Sequence, residues 1–295
     1  MNTIACPRTL RRFLDRQNLF LKKSLSQSFC ISSSVVKKVI SHCALSPGDV
    51  LVEIGPGAGA FTEALLNHAI TLISIEKDLR FIDTLRQLPQ GKARHLVYHA
   101  DILSFPLREI VRSHLAPGQK AKLFSNLPYH LVSPILGKVL PLHDLFSKQL
   151  LILQREVAQR MVAPICTKQR SSLSLFSIFY SQPKLLSIFS PNCFYPRSQV
   201  ESALVCCLLS APKLPLTEQA AFSPWIRSIF SQKRKLIKNS LLALYSRESL
   251  SSAWKALCLP ASLRPEEMTL TQALQLYSHL NNLENSFPCP AVSAS

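Results

Sequence analysis

Val50-Leu-Val-Glu53-Ile-Gly55-Pro-Gly57-Ala-Gly59 is the stretch that decides the fold. An apolar run follows the turn-forming Ser46-Pro-Gly-Asp49 and ends in a cluster of glycines. A short apolar run bounded by turn residues reads as a strand. The next segment, Ala60 to Ala69, carries Phe61, Ala64, Leu65 and His68 on one helical face. The chain has only seven glycines, and three of them stand at 55, 57 and 59. At a strand-to-helix junction, glycine lets the backbone turn sharply and approach a ligand closely. Such concentration in a glycine-poor chain favours a ligand loop over a bare turn.

Working outward, the alternation continues. Ser32 to Leu45 reads as a serine-capped helix with Val35, Val36, Val39 and Ile40 on its apolar face. Ile70 to Glu76 is a second strand and Asp78 to Leu88 a second helix. His95 to His99 makes a third strand leading to Asp101, Lys120 to Ser125 a fourth, and Leu150 to Gln154 a fifth. Strands alternating with helices predict an α/β fold, a parallel sheet covered on both faces with right-handed crossovers. Leu185–Phe189 and Ser202–Leu209 have no helix between them and predict an antiparallel pair closing that sheet. Ser210-Ala-Pro-Lys-Leu-Pro215 reads as a linker. Helices are expected beyond it, over Pro224–Tyr245, Ser249–Cys258 and Thr269–Leu283, with a disordered tail from Ser286 to Ser295. The expected domains are therefore 1–211, carrying the sheet, and 212–295, small and all-helical.

Thirty-four Lys and Arg against 17 acidic residues give a formal charge of +17. That imbalance costs self-repulsion which a polyanion relieves, so nucleic acid is favoured over a membrane surface. No apolar run approaches the roughly 20 residues needed to span a bilayer. Nine cysteines occur with no Cys-x-x-Cys spacing, which suits free thiols in a reducing cytosol. His95 and His99 flank a strand segment whose ends lie about 13 Å apart, too far for two ligands of one ion, so no metal is expected. The N-terminus sets Arg8, Arg11, Arg12 and Arg16 against a single Asp15. It reads as an RNA-facing basic arm, with a cleaved presequence as the alternative.

Ligands of open parallel sheets sit at the carboxyl ends of strands. Gly55, Glu76 and Asp101 all fall there. Glu76 suits a ribose diol and Asp101 an adenine amino group, which fits either a dinucleotide or S-adenosylmethionine. The fourth strand ends in Asn126-Leu127-Pro128-Tyr129. The N6 of adenine is a poor nucleophile because its lone pair is delocalised into the ring. An amide oxygen from Asn126 and the backbone carbonyl of Leu127, both accepting its N–H bonds, would make it more pyramidal and electron-rich. Tyr129 can stack on the base. Attack on a sulfonium methyl then needs positioning and no metal.

These motifs resemble the ribosomal small-subunit adenine N6,N6-dimethyltransferases, with the class I methyltransferase form of the Rossmann-like sheet. The resemblance runs from about Lys22 to Leu283. It takes in Ser26-Gln-Ser-Phe29, the Glu53–Gly59 loop, Asn126–Tyr129 and Gln154-Arg-Glu-Val-Ala-Gln-Arg160. It also takes in Phe194-Tyr-Pro-Arg-Ser-Gln-Val-Glu-Ser202 and Phe230-Ser-Gln-Lys-Arg-Lys-Leu-Ile-Lys-Asn-Ser-Leu241. It implies that Ser28, Cys30, Gly55, Glu76, Asp101 and Asn126 contact S-adenosylmethionine. Asn126 and Tyr129 would hold the target adenine, with Phe194 packing on its other face. The implied substrate is a pair of adjacent adenines near the 3′ end of small-subunit ribosomal RNA, in a partly assembled subunit. The chain departs from the family at Ser28, commonly Asn, at Cys30, often Leu, and at Ser198, commonly Pro.

Residues 1–50 hold eight basic and two acidic side chains, a net of +6. On a continuous helix over Pro224–Tyr245, Ile226, Ile229, Phe230, Ile237, Leu241 and Leu244 form a buried stripe. Arg227, Arg234 and Lys238 then lie along one edge with Lys235 behind, and Lys233 falls in the apolar face. The basic residues are read as phosphate contacts. The expected protein is a cytoplasmic monomeric enzyme in small-subunit biogenesis. Alternatives are a large-subunit adenine methyltransferase conferring antibiotic resistance, a non-catalytic RNA-binding assembly factor of the same fold, and a nicotinamide-dependent oxidoreductase.

Overall fold

The computed structural model describes residues 4–16, 28–89, 91–128, 131–232 and 235–286; Tyr129, Lys233, Arg234 and the tail from 287 lie outside the described residues. The elements run α1 (Pro7–Arg16), β1 (Phe29–Cys30), α2 (Ser33–Cys43), β2 (Val50–Ile54), α3 (Ala60–Leu65), β3 (Thr71–Glu76), α4 (Ile82–Gln87), β4 (Arg94–His99) and α5 (Leu107–Arg112). They continue with β5 (Ala121–Asn126), α6 (Val132–Val139), β6 (Phe146–Gln154), α7 (Arg155–Met161), α8 (Ser172–Tyr180), β7 (Ser181–Phe189), β8 (Phe194–Tyr195) and β9 (Ser202–Leu209). The last helices are α9 (Leu216–Ile229), α10 (Ile237–Leu241), α11 (Arg247–Ala256) and α12 (Leu270–Ser286).

Seven strands form one sheet in the order β4-β3-β2-β5-β6-β9-β7. The first five are parallel, while β9 is antiparallel to both β6 and β7. The chain steps outward from β2 to β3 to β4, then returns to the other side of β2 as β5. That reversal opens a crevice at the carboxyl ends of β2 and β5, the place where such sheets bind ligands. Every residue of β2 is buried, whereas the edge strand β4 is half-buried. A central strand of a parallel sheet is covered on both faces, so it reads as an unbroken apolar run. Glu53 is the one charge in β2.

Local chemistry sets the element ends. Ser32 caps α2 by accepting from the Val35 N–H, and Ala44 ends it in the left-handed region at φ 48°. Val35, Val36, Val39 and Cys43 form its buried face. Each buried aliphatic side chain contributes about 1.5–3 kcal/mol. The basic N-terminus is helical: in α1, Leu10 and Leu14 are buried in a cluster with Phe29, Ala58, Phe81 and Leu85. The Arg11 guanidinium lies 5.4 Å from the centroid of the Tyr195 ring, while Arg8 and Arg12 are exposed.

Contacts divide the chain into two compact units, residues 1–158 with 180–211, and 159–179 with 212–295. The second unit therefore draws on 159–179, a stretch that the sequence division at 212 leaves with the sheet. Phe179 explains this: its ring lies 4.6 Å from Phe222, which in turn contacts Trp225 and Tyr277. The continuous helix expected over Pro224–Tyr245 is also corrected. The chain leaves α9 at Phe230, and Leu236 is extended (ψ 145°) before α10. An unbroken helix would have placed the Lys233 ammonium in the apolar face. With the break, Ile226, Ile229, Phe230, Ile237 and Leu241 are all buried, but Leu244 is 49% exposed. Arg227 and Lys238 consequently belong to different helices rather than to one edge.

Candidate functional site

The glycine loop is built for close approach. Gly55, Gly57 and Gly59 all have positive φ, at 68°, 55° and 89°. A Cβ on Gly57 would lie 2.8 Å from the Phe29 ring, so the loop and β1 pack without room for a side chain. β1 is held in turn by β8, through the pairs Phe29 with Tyr195 and Cys30 with Phe194.

A cavity opens at the crevice beside this loop. Ser28, Cys30, Glu53, Gly55, Glu76, Asp101, Asn126 and Leu127 all line it, together with an apolar wall from Phe61, Phe124, Leu131 and Ile135. The sequence thus placed Ser28, Cys30, Gly55, Glu76, Asp101, Asn126 and Leu127 at a shared cavity. Phe194 does not line it: the ring is 2% exposed and belongs to the hydrophobic core with Cys30, Val35 and Phe189. Its strand partner Cys30 presents the cavity wall instead. Of the basic positions, Arg227 and Lys235 are exposed, and Lys238 donates to Ser251 Oγ at 2.9 Å.

Glu76 is 7% exposed and accepts two backbone N–H groups, from Gly57 to Oε2 and from Asp78 to Oε1, both at 2.8 Å. It therefore pins the glycine loop to the end of β3 while each oxygen keeps a lone pair. Burial raises its carboxyl above the ordinary value, against the pull of those N–H groups. Asp101 accepts from Lys77 Nζ at 2.8 Å and from the Leu103 N–H at 2.9 Å. The Lys77 hydrogen bond holds its carboxyl below the usual range, so it stays an acceptor. Burial pushes the Cys30 thiol up to about 12, which makes it a neutral contact and not a nucleophile. Ser28 Oγ is buried without a hydrogen-bond partner.

Asn126 Nδ2 donates to the Ser28 carbonyl at 2.8 Å. A carbonyl can only accept, so this bond fixes which way the carboxamide is turned and leaves Oδ1 as the acceptor for a ligand. The Leu127 N–H is bonded to the Ile152 carbonyl at 3.1 Å, which anchors the turn after β5 to β6. The orphaned Ser28 and Glu53 oxygens, the hydrogen-bonded carboxylates of Glu76 and Asp101 and the glycine loop fit an adenosine carrying a polar, charged tail. Among the described residues no group of three or more His, Cys, Asp or Glu is placed to hold a metal ion.

Sequence reasoning gave no role to Phe29, whose ring sets the glycine requirement at 57, or to Glu53. The signal for Glu53 was visible as a lone charge inside an apolar strand. Phe29 gave none, since its contact with the loop is tertiary.

Comparison with known proteins bears on the same residues. Positions 18–281 match the family described as ribosomal RNA adenine dimethylase. The chain is 35% identical over 278 residues to the ribosomal RNA small subunit methyltransferase A of Protochlamydia amoebophila (strain UWE25), covering 94% of this chain and 98% of that one. It is 34% identical to the protein of that name from Chlamydia caviae, over the same shares. Among solved structures, a dimethyladenosine transferase from Plasmodium falciparum has a TM-score of 0.66 at 21% identity, covering 85% of this chain and 96% of that one. The 23S ribosomal RNA methyltransferase ErmE has a TM-score of 0.64 at 20% identity, covering 86% and 99%. At those identities the structures speak for the fold, and the sequence matches speak for descent: the chain belongs to the ribosomal RNA adenine dimethylase family.

Proposed function

We propose that the protein transfers methyl groups from S-adenosylmethionine to N6 of two adjacent adenines near the 3′ end of small-subunit ribosomal RNA. It acts as a cytoplasmic monomer on a partly assembled subunit. The observation that carries this reading is the bond from Asn126 Nδ2 to the Ser28 carbonyl, which presents Oδ1 beside the glycine loop. S-adenosylmethionine supplies an electrophilic methyl group on a sulfonium. Asn126 Oδ1 and the Leu127 carbonyl accept the two N6–H bonds of the target adenine and hold its lone pair in line, and Tyr129 stacks on the ring. Glu76 takes the cofactor ribose hydroxyls and Asp101 its adenine amino group, with Ser28, Cys30 and Gly55 closing around it. Orientation of this kind is worth effective molarities on the order of 10⁵ M or more. Residues 1–211 hold the cofactor and residues 212–295 contribute RNA contacts from Arg227, Arg234, Lys235 and Lys238.

The relatives named small subunit methyltransferase A favour the small subunit over the large one. The test is incubation with methyl-labelled cofactor and unmethylated small or large subunits, followed by nucleoside analysis. Label in N6,N6-dimethyladenosine of the small subunit is expected. Label in the large subunit would indicate the resistance-type activity, and no label a binding factor; either result overturns the proposal.

A further inference from the structure

Two lysines stand around Asp101, the acid that takes the adenine amino group of the cofactor. Lys77 follows Glu76 at the end of β3 and lines the cavity. Its Nζ donates to Asp101 Oδ2 at 2.8 Å, and its carbonyl accepts from His99 Nε2 at 3.2 Å. A carbonyl can only accept, so His99 keeps its proton on Nε2. Backbone and side chain of Lys77 are thus both tied to β4 and the loop after it. The Leu103 N–H takes the other oxygen, Asp101 Oδ1, at 2.9 Å. Each carboxylate oxygen has one donor and a lone pair to spare, so the plane of the carboxylate is set before a ligand arrives.

The second lysine holds the loop that carries Asp101. The Ser104 and Phe105 N–H groups turn back onto the Asp101 carbonyl at 3.1 and 2.9 Å. Lys138 Nζ, reaching from a half-buried position on α6, donates to the carbonyls of Leu103 and Phe105 at 2.9 and 2.7 Å. Burial lowers the Lys138 ammonium from its ordinary value and Asp101 pulls it back up, so the two charges act on each other. Ile102 from this loop and Ile135 from α6 both line the cavity. Lys138 therefore ties the wall beside Asp101 to the helix that follows the Asn126-Leu127-Pro128 turn. An ionised carboxylate only accepts. It suits the 6-amino group of adenine and repels a 6-oxo group, provided that its oxygen is held where the purine edge arrives.

We propose that Lys77 and Lys138 are positioning residues that make the cavity selective for a 6-aminopurine, Lys77 by fixing the Asp101 carboxylate and Lys138 by fixing its loop. The inference rests on the S-adenosylmethionine reading of the cavity, in which Asp101 takes the adenine amino group. The Lys77 and Asp101 side chains are 57% and 31% exposed. Ion pairs as exposed as this add little to stability, so losing the pair is to be read in ligand selectivity and not in folding.

The experiment is calorimetry on the full chain with two ligands, S-adenosylhomocysteine and S-inosylhomocysteine. They share ribose, thioether and amino-acid tail, and differ at the purine edge, amino in the first and oxo in the second. The wild type should bind the amino ligand about tenfold or more tightly than the oxo ligand. Lys77→Met should weaken S-adenosylhomocysteine about three- to tenfold and leave S-inosylhomocysteine within about twofold, the size of one charge-assisted contact. Lys138→Met should narrow the ratio in the same sense. Lys77→Arg and Lys138→Arg, which keep charge and donors, should each hold the ratio near that of the wild type. In an Asp101→Asn background Lys77→Met should change the ratio no further, because the lysine acts through that carboxylate. Equal losses for the two ligands, an unchanged ratio in either Met variant, or a further change in the Asp101→Asn background overturns the proposal. If Lys138→Met does not fold, the Lys77 variants decide by the same criterion. Equal binding of both ligands by the wild type would take the amino group away from Asp101, and this inference with it. Failure to bind either ligand would instead remove the cofactor reading itself.

Discussion

The carboxamide of Asn126 illustrates how a single bond carries chemistry. Its Nδ2 is committed to the Ser28 carbonyl, so its oxygen is presented in one orientation without a search. Replacing it by alanine removes both the acceptor and the tether to Ser28, the residue before β1. Preorganised groups of this kind typically account for about 10²–10³ in rate. Asn126→Ala is expected to lower kcat for adenine methylation by that order while the fold persists; a normal rate of methyl transfer to the RNA would remove Asn126 from the site. Cys30 gives a second expectation at this scale. Its thiol is buried and raised to about 12, whereas Cys166 and Cys258 are exposed. Iodoacetamide at pH 8, followed by peptide mass mapping, should alkylate Cys166 and Cys258 and spare Cys30 until the chain unfolds. Rapid labelling of Cys30 in the native protein would mean that the cavity wall opens.

Pairs of elements carry the next expectation. His95 links edge strand β4 to β3 through Ser74, and burial holds its pKa at about 4 against an ordinary 6.5. The unfolded chain therefore takes up a proton at this position that the folded chain refuses. Its contribution is fully present above pH 6.5 and is lost as pH falls from 6.5 toward 4. Glu53 acts in the opposite sense, because its raised carboxyl is protonated more readily in the folded chain and favours folding as pH falls from about 7 toward 4.5. Comparing wild type with His95→Gln cancels the Glu53 share. In urea unfolding at pH 7 and pH 5, the wild type should lose more stability than the variant; an equal loss would show that His95 protonates without penalty. The same elements show what the sequence made legible. The parallel strands were readable because apolar runs alternate with helical spacing, and Ser202–Leu209 was readable to the residue. At the site, Gly55, Glu76, Asp101 and Asn126 were findable as polar or glycine positions at strand ends. What stayed hidden was tertiary. Nothing local marks Phe29 as the reason Gly57 has no side chain, or Phe179 as a partner of Phe222 across 43 positions. The burial of Phe194 and the break after Phe230 depend equally on what surrounds them. A helical wheel assumes continuity, and it failed where continuity would have buried Lys233.

At the scale of the whole molecule the dominant quantity is the charge of +17. An RNA helix or strand carries a condensed counterion layer, and each phosphate neutralised by Lys or Arg releases part of it. Binding therefore weakens with salt in proportion to the number of phosphate contacts. A protein making several such contacts loses on the order of 10³ in affinity between 50 and 200 mM salt. Filter binding or fluorescence anisotropy with small-subunit RNA fragments should show that steep decline. Arg227 on α9 and Lys235 before α10 are exposed and are the positions to probe. Arg227→Ala and Lys235→Ala should each weaken binding nearly uniformly across RNA sequences and reduce the salt slope by about 1. Neither should alter the affinity for S-adenosylhomocysteine, because neither lines the cavity. The contrast separates two uses of positive charge. If the slope is shallow in the wild type, the excess Lys and Arg are a solvated coat, and the RNA is held by stacking and shape alone. If the slope is steep yet unmoved by either substitution, the phosphate contacts lie elsewhere, and the exposed Arg8 and Arg12 on α1 become the next side chains to replace.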